Sequence, residues 1–233
     1  MLLTGKTFLM VMMLLAIAAI DRTQARADTV AIDPTGDFLS TYDGPHNGDL
    51  DVRKAQVVFN GNSFLFEGAM NGNIGSTPGG FYVWGLNRGA GTARFGIITV
   101  GSRTYDASGV LFDSVVVLRP GGASTVTDLT NGITTPLSFT FASNSPELFA
   151  EVSAQLLPSR GFAFSQYTWN LWPRFAGVTG NSQISDFAPD NSNALVSAVP
   201  EPATMLLFAT GLVGVAAKIR RRHKHCDSES ALT

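Results

Sequence analysis

Cysteine is nearly absent from this 233-residue chain, which contains only Cys226. A single thiol excludes any disulfide within the chain and any zinc site that needs several cysteines. Histidine is also scarce, because His46 is the only one before residue 223. The chain has no Gly-x-Ser-x-Gly, His-Glu-x-x-His or phosphate-binding loop motif. We therefore expect the protein not to be an enzyme and to require no organic cofactor.

Charged residues make up only 15% of the chain, and their two signs are separated along it. Fifteen acidic and eight basic side chains lie between Asp28 and Glu201, which gives this stretch a net charge of −7. So acidic a region repels a phosphate backbone. Nucleic acid is therefore not an expected partner.

The N-terminus has the organisation of a secretory signal peptide. Lys6 precedes an apolar run over residues 8–20, and the small residues Ala25 and Ala27 follow. A helix of that length rises only about 20 Å, which is short of a hydrocarbon core about 30 Å thick. We predict a signal peptide over residues 1–27, removed by signal peptidase after Ala27.

A second apolar segment lies near the C-terminus and is followed directly by cations. Residues 203–219 contain one charge, Lys218, and are long enough for a membrane helix. Arg220, Arg221 and Arg222 then favour retention of the following residues in the cytoplasm. We therefore predict a membrane helix over 203–219, an exported central domain and a cytoplasmic tail over 225–233.

The residues around that helix resemble a known sorting signal. Val199, Pro200, Glu201 and Pro202 precede the helix, and the arginine cluster follows it. In this order, the three elements over residues 199–224 resemble the PEP-CTERM sorting domain. The resemblance implies processing by exosortase, a precursor in the inner membrane with its domain in the periplasm, and a mature form at the cell surface or outside the cell. It also implies an association with exopolysaccharide and biofilm.

The central region is predicted to be mainly β. A hairpin signal is given by alternating runs on either side of Asn60-Gly61-Asn62, and glycine-rich turns separate further strand-like runs. We predict an antiparallel, jelly-roll-like β-sandwich over residues 28–180, with one short helix between Ser145 and Pro158. Residues 181–198 are rich in Asn, Ser, Asp and Ala, with one Pro, and are predicted to form a flexible spacer, with an ordered turn over 186–190 as the alternative.

Four aspartates near the start of the domain form a candidate metal site. Asp33, Asp37, Asp49 and Asp51 lie among Gly, Asn and Pro residues, although not at EF-hand spacing. Loop carboxylates are ligands that calcium prefers, and sites outside the cytoplasm can be weak. The alternative is that these residues are solvated aspartates that form turns.

An aromatic segment forms a candidate polysaccharide-binding site. Tyr167, Trp169 and Trp172 could stack on sugar rings, with Asn170 and Arg174 as hydrogen-bond donors. The alternative is that these rings belong to the core, as is also expected of Trp84. A third hypothesis, a hydrolase of matrix polymers, requires two carboxylates about 5–10 Å apart in a cleft.

Overall fold

A computed structural model describes residues 29–142 and 144–198 of the chain. The signal peptide predicted over 1–27, the sorting segment over 199–224 with its helix 203–219, and the tail over 225–233 lie outside these ranges. Within the described part of the chain, no helix has the length and apolar character needed to cross a membrane.

The described residues form short β-strands joined by turns and four single-turn 3₁₀ segments. The strands are β1 (Ala31–Ile32), β2 (Val52–Phe59), β3 (Ser63–Met70), β4 (Gly80–Asn87), β5 (Gly96–Val100), β6 (Arg103–Ala107), β7 (Ser114–Leu118), β8 (Ser124–Asp128), β9 (Ile133–Leu137), β10 (Glu147–Ser153), β11 (Thr168–Phe175), β12 (Ala194–Leu195) and β13 (Ser197–Ala198). The prediction of a mainly β fold is confirmed.

These strands pair into two large sheets and one separate hairpin. The first sheet has the order β1-β2-β3-β10, with β13 also paired to β2. The second has the order β12-β11-β4-β7-β8-β9, and β5 pairs with β6. All pairs are antiparallel except that of β13 with β2.

The predicted β2–β3 hairpin is confirmed. The Asn60 side chain accepts hydrogen bonds from the backbone N–H groups of Asn62 and Ser63, at 3.0 and 2.9 Å. Gly61 has a φ of +101°, which a residue without Cβ adopts at little cost. This local chemistry places Phe59 opposite Phe64 and sets the register of both strands.

The two large sheets share one hydrophobic core. Alternate residues of β3 point into it, including Phe64 and Phe66, and so do Trp84 of β4 and Trp169 of β11. The Phe66 ring meets the Trp84 ring edge-on across this core, with 5.7 Å between centroids. Every second residue of the strands is buried on both sheets, and these residues pack the two sheets face to face as layers.

A second core covers the other face of β4. All eight β4 residues are buried, because Val83 and Phe81 point away from the first core toward Trp172, Phe187 and the β5–β6 hairpin. Trp172 lies against Gly85 so closely that a Cβ at that position would overlap its ring. The centre of the second sheet is thus enclosed on both sides.

The prediction of a short helix after Ser145 is wrong, because these residues form strand β10. Seven residues of β10 pair with β3, and Leu148, Ala150 and Val152 are buried in strict alternation. A spacing of four residues between Leu148 and Val152 is also a multiple of two, so it fits a strand equally well. Ser145 closes a local turn by accepting a hydrogen bond from the Glu147 N–H at 3.0 Å.

The flexible spacer predicted over residues 181–198 is also wrong. Ile184 and Phe187 belong to the second core, whereas Ala194 and Val196 belong to the first. The segment also contributes β12 and β13 to the two sheets. Its few apolar residues are all used in packing, which outweighs the polar composition that suggested a linker.

Two arginines hold two buried carboxylates at the end of β4. The fully buried Arg88 reaches Asp113 with its Nε at 2.6 Å and Asp128 with its Nη2 at 2.9 Å. Arg160 contacts the other oxygen of Asp128 at 2.6 Å. Burial alone would raise the pKa of Asp128, but hydrogen bonds from Arg88, Thr130 and Arg160 hold it well below its usual range. We call these four charged residues the arginine network.

Candidate functional site

Five aspartates from three separate parts of the domain meet at one place, which we call the aspartate cluster. Asp33 follows β1, Asp37 lies in the next loop, and Asp51 directly precedes β2. Asp186 and Asp190 come from the segment between β11 and β12. The fold therefore brings residues about 150 positions apart in sequence into one cluster.

The five side chains form two groups that share Asp37. Asp33, Asp37 and Asp190 form one group, and Asp37, Asp51 and Asp186 form the other. Within each group, one ligand atom from each residue lies within 4.8 Å of the others. Two oxygens on opposite sides of a calcium ion, each at 2.3–2.6 Å, are about 5 Å apart. Each group therefore has the dimensions of part of a calcium coordination sphere.

Three of these carboxylates are buried, and two of them have an oxygen without a hydrogen-bond partner. Asp51 is 2% exposed and its Oδ1 accepts no hydrogen bond, while its Oδ2 accepts one from the Gly36 N–H and one from Asn71 Nδ2, each at 2.9 Å. Asp33 is 8% exposed, and its Oδ2 also lacks a partner. An unpaired buried carboxylate oxygen is costly, so these two atoms require an explanation.

Asp186 has a different role within the cluster, because its backbone partners fix it in place. Its Oδ2 accepts the Val52 N–H at 2.9 Å, and its Oδ1 accepts the Phe187 N–H at 2.8 Å. The first of these bonds ties the segment before β12 to the start of β2. Each oxygen keeps a further lone pair that could bind a cation.

The electrostatics of the cluster are those of anions that lack a counter-charge. Burial, together with the charge of Asp186, raises the pKa of Asp33 well above its usual value. Burial and the charge of Asp37 raise the pKa of Asp186 against the opposing backbone hydrogen bonds. Burial likewise raises the pKa of Asp51, although Arg53 acts in the opposite direction. Each of these shifts shows that the folded domain disfavours the charged form of the group.

Asp49, the fourth predicted calcium ligand, does not belong to the cluster, and that part of the prediction is wrong. Its Oδ2 accepts the Thr77 N–H at 2.8 Å, and its Oδ1 accepts the Thr77 hydroxyl at 2.5 Å. Its backbone carbonyl accepts the Tyr82 hydroxyl at 2.9 Å. Asp49 is thus a buried anchor within the 3₁₀ turn Gly48–Leu50, and not one of the solvated aspartates of the alternative interpretation.

Sequence reasoning missed Asp186 and Asp190 as members of the cluster. Both lie in Asp186-Phe187-Ala188-Pro189-Asp190, within the segment that composition assigns to a spacer. The available signal was that two acids flank the apolar residues Phe187 and Ala188, which the structure buries completely. Their pairing with Asp33 and Asp51 is a tertiary contact, which no local pattern encodes.

The aromatic residues predicted to stack on sugar rings are buried, so that prediction is wrong. Tyr167 and Trp169 are fully buried in the first core, and Trp172 is 1% exposed in the second. The Tyr167 ring stacks on Phe64 with 5.4 Å between centroids, and its hydroxyl donates to the Leu157 carbonyl at 3.1 Å. These aromatics supply core packing, which was the alternative interpretation.

The donors Asn170 Nδ2 and Arg174 Nη2 are engaged within the domain, whereas Asn170 Oδ1 and Arg174 Nε have no hydrogen-bond partner. The Asn170 Nδ2 donates to the carbonyls of Pro189 and Ser192, which fastens the segment before β12 to β11. The Arg174 Nη2 donates to the Gly180 carbonyl at 2.7 Å. Both side chains hold the C-terminal segment of the domain in place.

The arrangement expected of a glycoside hydrolase is not found in the shallow pocket beside β8 and β9. Asp128 is the one carboxylate in its lining, and it is ion-paired with Arg160 there. His46 is exposed in its turn and stacks on Phe38 with 4.4 Å between ring centroids. Neither place joins a nucleophile to a base.

Comparison with known proteins adds a finding about the C-terminal segment. The model of the PEP-CTERM protein-sorting motif matches residues 198–222. This match confirms the resemblance seen at Val199, Pro200, Glu201 and Pro202 and at the arginines 220–222. All of these residues lie outside the described part of the structure. Comparison with curated proteins and with solved structures gives no significant match.

Proposed function

Because the chain carries a PEP-CTERM protein-sorting motif, we propose that it is an exported, non-enzymatic protein of the cell surface or extracellular matrix. The match over residues 198–222 is the observation that carries this proposal. Exosortase is the processing partner that the motif implies, acting on a membrane-anchored precursor. The mature domain would then act in an exopolysaccharide-containing matrix.

The order of segments along the chain supports this proposal. The apolar run over 8–20 ends before the first described residue, Thr29, and the folded domain extends to Ala198. The match to the motif begins at residue 198, which is the last described residue of the domain. The arginines 220–222 follow an apolar segment, as expected of an anchor whose C-terminal end stays in the cytoplasm.

The proposal can be tested by intact mass spectrometry of the protein from cell fractions of a host with exosortase. The expected result is a surface or medium form that lacks residues 1–27 and the residues after a cut near the motif. A Glu201→Ala variant should instead accumulate in the membrane with its C-terminus retained. Glu151→Ala is the matched control, because Glu151 is an exposed residue of β10, and it should be processed like the wild type.

Two results would contradict the proposal. One is a full-length wild-type chain that stays in the cytoplasm of the exosortase-containing host. The other is normal C-terminal processing of Glu201→Ala, or of the wild type in a host from which exosortase has been deleted. Either result would show that the motif does not direct the sorting of this protein.

A further inference from the structure

The aspartate cluster concentrates more negative charge than its protein neighbours neutralise. Five carboxylates meet in two groups of three, and Asp37 belongs to both groups. Arg53 is the cation that lowers the pKa of Asp51, and its Nε is held by the Met70 carbonyl at 2.9 Å. The arginine network, by contrast, gives Asp128 two ion pairs. A buried group of carboxylates of this kind is neutralised either by taking up protons or by a cation from outside the protein.

The unpartnered oxygens are what distinguish this cluster from an ordinary acidic surface. Asp51 Oδ1 and Asp33 Oδ2 are buried and accept no hydrogen bond. Asp51 lies in one group of three and Asp33 in the other. Each of these two buried residues has a carboxylate oxygen within 4.8 Å of those of two further aspartates, and each has an unpartnered oxygen that is available to an ion.

The cluster is also open to solvent on one side. Asp37 and Asp190 are exposed, whereas Asp33, Asp51 and Asp186 are buried. An ion could therefore enter past the two exposed carboxylates and complete its coordination with water. Oxygen ligands alone, several carboxylates and an irregular arrangement favour calcium over magnesium, which demands octahedral geometry and gives up water reluctantly.

We propose that Asp33, Asp37, Asp51, Asp186 and Asp190 form a calcium site that fastens the C-terminal segment of the domain to its N-terminal strands. The site joins the loop after β1 and the start of β2 to the residues that precede β12 and β13. Calcium bound there neutralises the buried carboxylates and closes this connection. Because the two groups share Asp37, they surround one ion or two adjacent ions.

The site stabilises the folded domain by mass action. Calcium binds the folded state and not the unfolded chain, in which the five residues are far apart. With a dissociation constant of about 1 mM, which is typical of extracellular sites, 10 mM calcium raises the folding equilibrium constant about tenfold. This inference stands apart from sorting, because it concerns the purified protein and not its processing in cells.

The test is an unfolding titration of the full chain in a non-ionic detergent, with EDTA, 10 mM calcium or 10 mM magnesium. The three tryptophans of the chain are all buried in the domain, so their fluorescence reports its unfolding. We expect calcium to raise the folding constant about tenfold or more and magnesium to raise it less than twofold. Glu151→Gln, which removes one exposed charge of β10, should respond to calcium like the wild type.

Two variants locate the site. Asp51→Asn keeps an oxygen for the Gly36 N–H and Asn71 while it removes the charge, and Asp37→Asn changes an exposed residue that cannot upset the core. Both should lose the calcium response. Terbium, which replaces calcium and is excited through nearby aromatic rings, should luminesce with the wild type and be displaced by calcium, but should bind neither variant.

The proposal is overturned if calcium leaves the wild-type folding constant unchanged, or if magnesium acts equally well. It is also overturned if Asp37→Asn retains both the calcium response and terbium luminescence. If Asp51→Asn does not fold, the calcium response and terbium luminescence of Asp37→Asn decide the test.

Discussion

Two regions of this domain bring several buried carboxylates together, and only one of these regions supplies its own cations. In the arginine network, Asp113 and Asp128 share the fully buried Arg88, and Asp128 also contacts Arg160. In the aspartate cluster, Asp33 and Asp51 each keep a buried oxygen without a partner. Burial is similar in the two regions, so the difference lies in the neighbouring cations.

This difference determines how each region responds to its surroundings. A carboxylate whose counter-charge is an arginine stays paired in any medium above strongly acidic pH, because arginine does not lose its proton. A carboxylate that depends on a dissolved cation is stable only where that cation is present. The arginine network is therefore a fixed part of the fold, whereas the aspartate cluster should respond to calcium and to pH.

The largest effect is expected from removing the central cation of the arginine network. Arg88→Met would leave Asp113 and Asp128 buried with one cation fewer, and breaking a buried pair in this way costs about 3–5 kcal/mol. Urea unfolding followed by tryptophan fluorescence would measure the loss. Arg103→Met, which breaks the half-exposed pair with Asp43, should leave the stability nearly unchanged. Equal effects of the two substitutions would refute the distinction between a buried and a surface pair.

The second effect is a pH dependence that distinguishes the two regions. With EDTA present, stability should fall as the pH rises from 5 to 8, because the raised pKa values of Asp33 and Asp186 mean that the folded state holds protons which the unfolded chain has released. Each such proton contributes up to about 1.4 kcal/mol per pH unit. Saturating calcium should remove this fall, since the bound ion stabilises the ionised carboxylates.

The charged groups that face the cluster do not change this sign. Burial, together with the charge of Asp190, raises the pKa of Tyr105, so that its hydroxyl stays neutral between pH 5 and 8. The arginine network has the opposite sign, because the pKa of Asp128 is lowered and its contribution is lost only as the pH falls below the usual range. A stability in EDTA that rises from pH 5 to 8 would contradict the assignment of uncompensated charge to the cluster.

The features that sequence predicted correctly are those written in a few neighbouring residues. The β2–β3 hairpin follows from Asn60-Gly61-Asn62 and the alternating residues beside it, and the sorting motif follows from an ordered set of short signals. Strand β10 was mistaken for a helix because Leu148 and Val152 fit both periods, and only pairing with β3 decides between them. Hydrogen bonding to a neighbouring strand is a tertiary effect that a single segment does not reveal.

The candidate site shows the same limit of prediction from local sequence more clearly. The sequence-based prediction grouped Asp33, Asp37 and Asp51 because they are close in the chain. For the same reason, it included Asp49 and left out Asp186. The backbone turns Asp49 toward Thr77, whereas the Val52 N–H holds Asp186 in the cluster from 134 residues away. Proximity in sequence thus predicted part of the aspartate cluster. The other members depend on how β2 packs against the C-terminal segment.

The third prediction separates Asp49 from the aspartate cluster. Asp49→Asn cannot accept both the N–H and the hydroxyl of Thr77 as a carboxylate does, so it should cost about 1–3 kcal/mol. Because Asp49 belongs to neither acidic group, the cost should be the same in calcium and in EDTA. Unfolding midpoints in the two media would measure this. A cost that appears in calcium alone would return Asp49 to the ligand set.

The smallest effect, and the most direct test of the comparison, is expected from Asp51→Asn in EDTA. The asparagine oxygen can take over the hydrogen bonds from the Gly36 N–H and Asn71, while a neutral amide replaces the unpartnered Oδ1. The variant should therefore be more stable than the metal-free wild type by on the order of 1 kcal/mol, because it removes an unpaired buried charge. Asp113→Asn makes the same chemical change in the arginine network and should destabilise the domain, since Arg88 loses one of its two carboxylate partners. If both substitutions destabilise the metal-free protein equally, the cluster is neutralised by the protein itself, and the two regions are alike. If they act with opposite signs, the aspartate cluster is built for a cation that the chain does not provide.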